Sequence, residues 1–163
     1  MSVLLAGLAA ELAHALTRRL LAEGDQVRMI AQAGVDETPP GAHVAAGDLS
    51  DEDLVERACQ GVRTVVLGRV PAAQGAVVLA AAARAGVDRA VLLAIPPDEV
   101  PASMSWVALV VPRQRPLGLG RGVPVEALAE AVDAADDLPG EPRLLADLGT
   151  VEGWRALRLD PPR

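Results

Sequence analysis

The first 24 residues constrain the fold of this chain more than any other stretch. Residues 3–6 form a short apolar run that predicts a buried strand, and Gly7 marks the turn after it. Apolar residues then recur at every fourth position of a predicted helix that Gly24 ends: Leu12, Leu16 and Leu20. This order of strand, turn and helix is typical of the opening βαβ unit of a nucleotide-binding fold.

The turn carries an incomplete phosphate-binding pattern. A pyrophosphate needs bare backbone at fixed spacing, because a methyl group holds its oxygens away from the amide N–H groups and the helix N-terminus. Gly7 is kept, whereas Ala10 and Ala13 occupy the places of the second and third glycines. The third glycine mainly serves helix–strand packing, but Ala10 stands at the point of close approach. Two interpretations stay open: a weakened nucleotide cradle, or a turn that only packs.

Composition and charge exclude several classes of function. A chain of 163 residues predicts one domain, residues 1–163, with a core of its own. The net charge of -7 argues against partners such as nucleic acid or an anionic membrane. One cysteine excludes an internal disulfide, and no metal-ligand motif is present, so we expect no metal centre. The apolar runs are too short to span a bilayer and no signal-peptide pattern opens the chain, so we expect a cytoplasmic protein.

The residue types that are missing narrow the chemistry further. The sequence contains no Tyr, Phe, Lys or Asn, so every acid, Schiff-base or phosphate-clamp role that needs Tyr or Lys is closed. Hydrophobic residues make up 51% of the chain but aromatic residues only 1%, so the core must consist of Ala, Val and Leu. Small side chains bury little area each. We therefore expect a partner surface to add stability, in a homo-oligomer or a protein complex.

Strands and helices alternate along the rest of the chain. Further strands are predicted at residues 26–31, 43–46, 63–68, 89–95 and 143–148, and further helices at residues 51–60, 73–85 and 123–132. In the last of these helices the predicted apolar face consists of Val125, Leu128 and Val132. The alternation predicts an α/β fold: a Rossmann-like, doubly wound, mainly parallel sheet of about six or seven strands in three αβα layers.

Two of these helices carry further predictions. Ser50 suits the N-cap of the helix at residues 51–60, with Asp53 at the capping-box position. The helix from Ala73 to Ala85 is apolar on almost every side and is closed by Gly86. Such a helix is either sandwiched or used as an interface. We expect it to contact a second copy of the chain or another protein.

For several polar and aromatic residues the sequence leaves two interpretations open, and for others it favours a purely structural role. Asp48 is either a turn residue or an acceptor at the edge of an adenine. The Gly-rich residues 116–122, with nearby Arg113, Arg115 and Arg121, either grip an anion or form a solvated loop. His14 is interpreted as a partly exposed helix residue, and the acids that end the last predicted helix as a charged surface: Asp133, Asp136 and Asp137. Trp154 anchors the terminal segment to the body, or to a partner if it is exposed.

The order of elements also carries a family resemblance. It rests on residues 3–24, on Gly47-Asp48-Leu49-Ser-Asp51, on residues 61–66 and 79–93, and on the later segments 105–113 and 123–132. In these pieces the chain resembles the short-chain dehydrogenase/reductase superfamily, in its extended or atypical, NmrA-like branch. The resemblance implies an NAD(P)-binding domain, with the cofactor against these positions: Gly7, Ala10, Ala13, Gln32, Asp48, Leu49 and Gly68.

Departures from the family pattern decide what the resemblance implies about activity. Family members act through a Tyr, a Lys and a Ser, and the Ser position falls on Ala94. The helix that carries the Tyr and Lys belongs between the fifth and sixth strands, where only residues 95–103 connect them. Gln32 stands where an acid or Arg would contact the adenosine ribose or its phosphate. The family's hydride-transfer groups are therefore not present in this sequence.

Two hypotheses follow. The first, which the loss of the proton donors favours, is a non-catalytic Rossmann-like relative of the reductases, acting as a binding, regulatory or assembly module. The second is a small atypical NAD(P)-dependent oxidoreductase or epimerase-like enzyme, in which cofactor and substrate supply the chemistry and the protein orients them. The first hypothesis leaves binding of NAD(P) open, whereas the second requires it.

Overall fold

The computed structural model describes residues 1–31, 38–93, 95–112 and 122–162. The strands are β1 (Ser2–Ala6), β2 (Gln26–Ala31), β3 (His43–Ala46), β4 (Thr64–Leu67), β5 (Arg89–Leu93), β6 (Ser105–Val110) and β7 (Arg143–Asp147). The helices are α1 (Ala10–Ala22), α2 (Glu52–Cys59), α3 (Ala72–Arg84), α4 (Val125–Asp136) and α5 (Val151–Ala156), with a 3₁₀ turn at Pro97–Glu99.

All seven strands form one parallel sheet in the order β3-β2-β1-β4-β5-β6-β7. The winding direction reverses between β1 and β4, which makes their carboxyl ends the switch point of the sheet. The predicted fold class is confirmed. The predicted bounds of β2 and β3 are also confirmed, because turn residues flank both strands closely in the sequence.

Helices cover both faces of the sheet. On one face α1 packs against α4, and on the other α2 packs against α3. Two clusters of buried Val, Leu, Ala, Ile and Met side chains fill the space between helices and sheet. A core of small aliphatic residues was predicted. Because these side chains are short, their burial depends on how closely each helix packs against the sheet.

The connection from β5 to β6 is unusually bare for parallel neighbours. Between these strands the described residues contain only the 3₁₀ turn and no α-helix, as the sequence predicted. A crossover between parallel strands ordinarily brings a helix onto the sheet. On the α2 and α3 side, the outer part of β6 and β7 is consequently exposed at Val110 and Leu145.

Two predictions about helix ends were wrong. The N-cap of α2 is Asp51, whose carboxylate accepts a hydrogen bond from the Leu54 N–H, whereas Ser50 donates its hydroxyl to Asp48. Asp48 therefore removes Ser50 from the capping role. On α4 the exposed Val125 does not join the core. Near the other end of α4, Asp133 and Asp136 are buried, although the sequence analysis had placed them on the surface.

The C-terminal segment was only partly predicted. Helix α5 was not predicted, because six residues carry too little periodicity. Trp154 on α5 is buried, and its indole Nε1 donates to the carbonyl oxygen of Leu148 at 2.9 Å. It therefore anchors the segment to the body of the protein, the first of the two predicted alternatives. No helix in the described ranges has both the length and the apolar character needed to cross a bilayer.

Candidate functional site

The carboxyl ends of β1 and β4 meet at the Gly7 turn. Gly7 has a φ of 66°, which an L side chain adopts only at a cost, and a Cβ there would also collide with the side chain of Val70. A Cβ on Gly68 would collide with the carbonyl oxygen of Gly7. The loop after β4 thus lies directly against the loop after β1. Packing alone accounts for both glycines.

The N-terminus of α1 opens from this turn without a side-chain cap. Ala9 is the N-cap residue and its side chain offers no hydrogen-bond acceptor, and Ala9 and Ala10 are both exposed. The first N–H groups of a helix are donors without intrahelical partners and carry a partial positive charge. Glu11 in the first turn partly compensates that charge. The helix end therefore exposes backbone donors whose attraction for an anion Glu11 reduces.

Ala10 and Ala13 have different environments. Ala13 is fully buried between α1 and the sheet, which is the packing role the sequence predicted for this position. Ala10 is exposed at the first helical position. Its methyl group stands beside the uncapped backbone donors, so it reduces access to them without filling any core space.

Asp48 lies at the same carboxyl edge, beyond the end of β3. Its Oδ1 accepts from the backbone N–H and the hydroxyl of Ser50, at 2.8 and 2.7 Å. These two hydrogen bonds, first the backbone one, lower the pKa of Asp48. The neighbouring Leu49 is fully buried. Asp48 therefore forms the predicted turn, and its exposed carboxylate is kept ionised at the edge of the crevice.

The fold brings together only some of the cofactor positions that the resemblance implied. Gly7, Ala10 and Gly68 lie at the switch point, whereas Asp48 and Leu49 follow β3, two strands away along the same edge. Ala13 is interior. The remaining candidates lie outside the described residues: Gln32, Ala94, Arg113, Arg115 and Arg121.

The described residues do not bring a nucleophile and a base together at this edge. The His14 ring lies against its own helix, with Nδ1 2.8 Å from the Ala10 carbonyl oxygen, and is partly exposed as predicted. His43 is exposed on β3. Cys59 is buried on α2, and burial raises the pKa of its thiol to about 11. Such a thiol is protonated at neutral pH and unreactive.

A buried polar network that the sequence did not predict lies at the opposite, amino edge of the sheet. Asp136 accepts from the Thr64 hydroxyl at 2.5 Å, and Arg63 Nη2 lies 2.7 Å from its other oxygen. Arg89 donates to the carbonyl oxygens of Ala135, Asp136 and Gly140. Arg89 thus caps the C-terminal end of α4, where a cation is favoured. A cleft of about 450 Å³ opens beside these groups.

A second cluster of acids joins the ends of α1 and α4. Carboxylate oxygens of Glu23, Asp133 and Asp137 lie within 4.8 Å of one another. Asp133 is paired with Arg19 at 2.5 Å. Burial, and then the charge of Asp133, raises the pKa of both Glu23 and Asp137. No spacing rule could find this cluster, because Glu23 and Asp133 are 110 positions apart in the sequence.

Comparisons with known proteins agree with the fold. The chain is similar to the structure of ChuY, an anaerobilin reductase from Escherichia coli O157:H7, at 14% identity over 90% of this chain and 96% of that one, with a TM-score of 0.69. It is similar to a wide-type short-chain dehydrogenase/reductase from Veillonella parvula in complex with NADP, at 14% identity over 90% and 93% of the chains, with a TM-score of 0.68. It is also similar to the Bordetella bronchiseptica enzyme WbmH in complex with NAD⁺, at 18% identity over 90% and 74%, with a TM-score of 0.68.

These similarities establish the fold and leave the chemistry to the site. No family model matches the chain. None of the curated proteins matches it either. A shared fold hosts many activities, so function must be argued from the residues at the switch point and around the β5–β6 connection.

Proposed function

We propose that this chain is a non-catalytic, NmrA-like relative of the NAD(P)-dependent reductases, acting in the cytoplasm as a binding, regulatory or assembly module. The observation that carries the proposal is the connection from β5 to β6. Its described part, residues 95–104, holds one 3₁₀ turn and no α-helix. The chain as a whole contains no Tyr and no Lys. The usual proton donor of the related enzymes and the helix that positions it are thus both missing.

The switch point supports a binding role. Its glycines hold the two loops together, and the uncapped start of α1 leaves backbone donors exposed to solvent. An anion is the ligand that such a helix end favours. The solved neighbours with NADP and NAD⁺ make a dinucleotide the first ligand to test. The Ala10 methyl and the Glu11 carboxylate both oppose it, and we expect any affinity to be low.

Calorimetric titration with NADPH and NADH, followed by an absorbance assay of cofactor consumption with a panel of carbonyl acceptors, tests the proposal. We expect no consumption above the protein-free rate. Turnover that scales with protein concentration would contradict the proposal and establish the alternative, a small atypical NAD(P)-dependent oxidoreductase.

A pair of matched variants identifies the ligand. Ala10→Gly restores bare backbone at the close approach, whereas Ala22→Gly makes the same change at the exposed far end of the same helix, about 18 Å away. If the cradle holds a dinucleotide, Ala10→Gly should tighten NADPH binding about tenfold, or roughly 1.4 kcal/mol. Ala22→Gly should leave the affinity unchanged. Absence of binding in every variant, with a stable complex recovered from the native source, would assign the assembly role instead.

In the assembly role, the outward surface of α3 is the expected contact with a partner. Its larger side chains, Val78 and Leu79, are buried beneath it, so the outward face consists mainly of alanines. The expected contact through Ala73 to Ala85 therefore has a flat, small-residue surface. Such a surface allows close approach but offers little area by itself.

A further inference from the structure

Among the described residues, no helix covers the face of β6 and β7 on the side of α2 and α3. We call this the open sheet face. Its apolar residues are Trp106, Val110 and Leu145, with the buried Ala108 between them, and the register places the exposed Arg143 and Asp147 on the same side. Leu145 is 59% exposed and Val110 40%. Ala108 and Leu145 are register partners on the neighbouring strands. Side chains on the central strands are nearly all at or below 9% exposure, so this surface is one of the two open edges of the sheet, with β3 at the other.

A ridge borders the open sheet face. Residues 95–97, Ile-Pro-Pro, stand between two depressions. The larger, of about 560 Å³, has Ala108, Val110 and Leu145 in its lining and Arg69 at its rim. The smaller, of about 260 Å³, lies towards the start of α3 and has Asp98 and Glu99 in its lining. Two prolines fix the backbone of the ridge, so it is a preformed feature.

The charges beside the ridge are opposite in sign. Arg69 belongs to the larger depression, and Asp98 and Glu99 belong to the smaller one. All three side chains are exposed, and within the described ranges none of them forms an ion pair or a side-chain hydrogen bond. The surface therefore carries an apolar ridge next to an apolar groove, and a cation next to two anions.

We propose that the open sheet face binds a second copy of this chain across a two-fold axis. An interface of this symmetry uses the same patch on both copies, so the patch must complement itself. A ridge beside a groove satisfies that condition in shape, and Arg69 beside Asp98 and Glu99 satisfies it in charge. The ridge of each copy enters the larger depression of the other, and Arg69 faces the two acids of the opposite copy.

The size of the surface sets the strength of this contact. Two strands of five or six residues present a face of roughly 20 by 10 Å. A standard interface buries about 800 Å² on each partner. The contact must therefore extend over the ridge and the adjacent end of α3, and the dimer it forms belongs to the weak, concentration-dependent class. This contact rests on the assembly role of the proposed function, with the open sheet face as the surface and a second copy of the chain as the partner.

The first test compares two strand valines with the same exposure. Val110 lies on the open sheet face and Val44 on β3 at the other edge of the sheet, and both are 40% exposed. The mass of the full chain is followed by sedimentation equilibrium from about 1 μM to 1 mM, a range that covers weak association. We expect reversible dimerisation that Val110→Glu weakens at least tenfold and Val44→Glu leaves unchanged. Equal effects of the two substitutions would overturn the proposal.

A charge exchange tests the pairing itself. Arg69→Glu alone and the double substitution Asp98→Arg with Glu99→Arg should each weaken the dimer. All three changes in one chain restore opposite charges across the two-fold axis and should recover most of the association. Failure of recovery would overturn the proposal, and circular dichroism of each variant verifies that it is folded.

The remaining outcomes are also decisive. A wild-type chain that is monomeric at 1 mM would overturn the proposal. So would a monomer that binds a different protein through Val110, since that result assigns the face to a foreign partner. The nucleotide titration does not depend on chain mass, so failure here and failure of the proposed function are distinguishable.

Discussion

Replacing Asp136 by Ala tests whether the network at the amino edge holds α4 to the sheet. Asp136 is 3% exposed, accepts from the Thr64 hydroxyl and lies 2.7 Å from Arg63 Nη2. The substitution therefore removes the acceptor of one buried hydroxyl and the counter-charge of one partly buried guanidinium. The neighbouring Asp137 is exposed and provides a control one position away on the same helix end.

The expected loss can be worked out from these contacts. A buried hydroxyl left without its acceptor costs about 1–3 kcal/mol. Breaking a fully buried ion pair costs about 3–5 kcal/mol, but the Arg63 side chain is 27% exposed and regains hydration, so only a fraction of that applies. We expect Asp136→Ala to lower the free energy of unfolding by about 3 kcal/mol, or roughly 6–12 °C in Tm. Asp137→Ala should stay within about 0.5 kcal/mol.

Urea unfolding followed by tryptophan fluorescence measures both variants, because Trp154 is buried and reports on the packed C-terminal segment. Thr64→Val, alone and with Asp136→Ala, completes a double-mutant cycle whose coupling should be about 1 kcal/mol or more. A loss in Asp136→Ala no larger than in Asp137→Ala would refute the reasoning. So would a cycle in which the two substitutions are additive.

Two further predictions concern glycine packing and pH. Gly68→Ala forces a Cβ onto the Gly7 carbonyl and should destabilise the protein by about 3 kcal/mol or more. Gly75 lies inside α3, where a new Cβ would meet its nearest neighbour at an ordinary 3.6 Å, so Gly75→Ala should stabilise the protein by up to about 1 kcal/mol. Thermal unfolding in which both substitutions act alike would contradict this prediction. Burial and neighbouring acids raise the pKa of Asp137 above its ordinary 3.8, so the folded state binds that proton more tightly and the unfolding free energy gains from it as the pH falls through the raised pKa. Urea unfolding between pH 7 and pH 4 should show a smaller gain in Asp137→Asn than in the wild type, and identical pH profiles would count against the proposed repulsion.

Much of the fold could be predicted from local patterns. β1, β2 and β3 are short apolar or alternating runs bounded by Gly, Asp or Pro, and α1 repeats leucine at helical spacing, so neighbouring residues alone specify them. The missing helix between β5 and β6 could also be predicted, because the short connection contains three prolines, Pro96, Pro97 and Pro101, which disfavour a helix interior. α5 was missed for the opposite reason, since a six-residue helix packed by one Trp has almost no period.

The site was harder to predict because its parts come from distant segments. Sequence could place Gly7 at a turn, but only the fold shows that Val70 and Gly68 pack against it, so that the glycines are needed whether or not a ligand binds. Ser50 was assigned to the helix cap from spacing alone. The structure gives that role to Asp51, because Asp48 engages the Ser50 hydroxyl first.

The sequence by itself determined the alternation of strands and helices up to β7, the parallel sheet and the absence of Tyr and Lys, since each of these depends on residue types and on neighbours a few positions apart. Tertiary structure decided that Asp136 is buried and that Leu145 is exposed. The partners of Asp136 are about 70 residues away in the chain, and Leu145 is bare because no described helix reaches it. Burial and pairing depend on which remote segments pack together, and the hydrophobic periodicity of a single segment does not predict that packing.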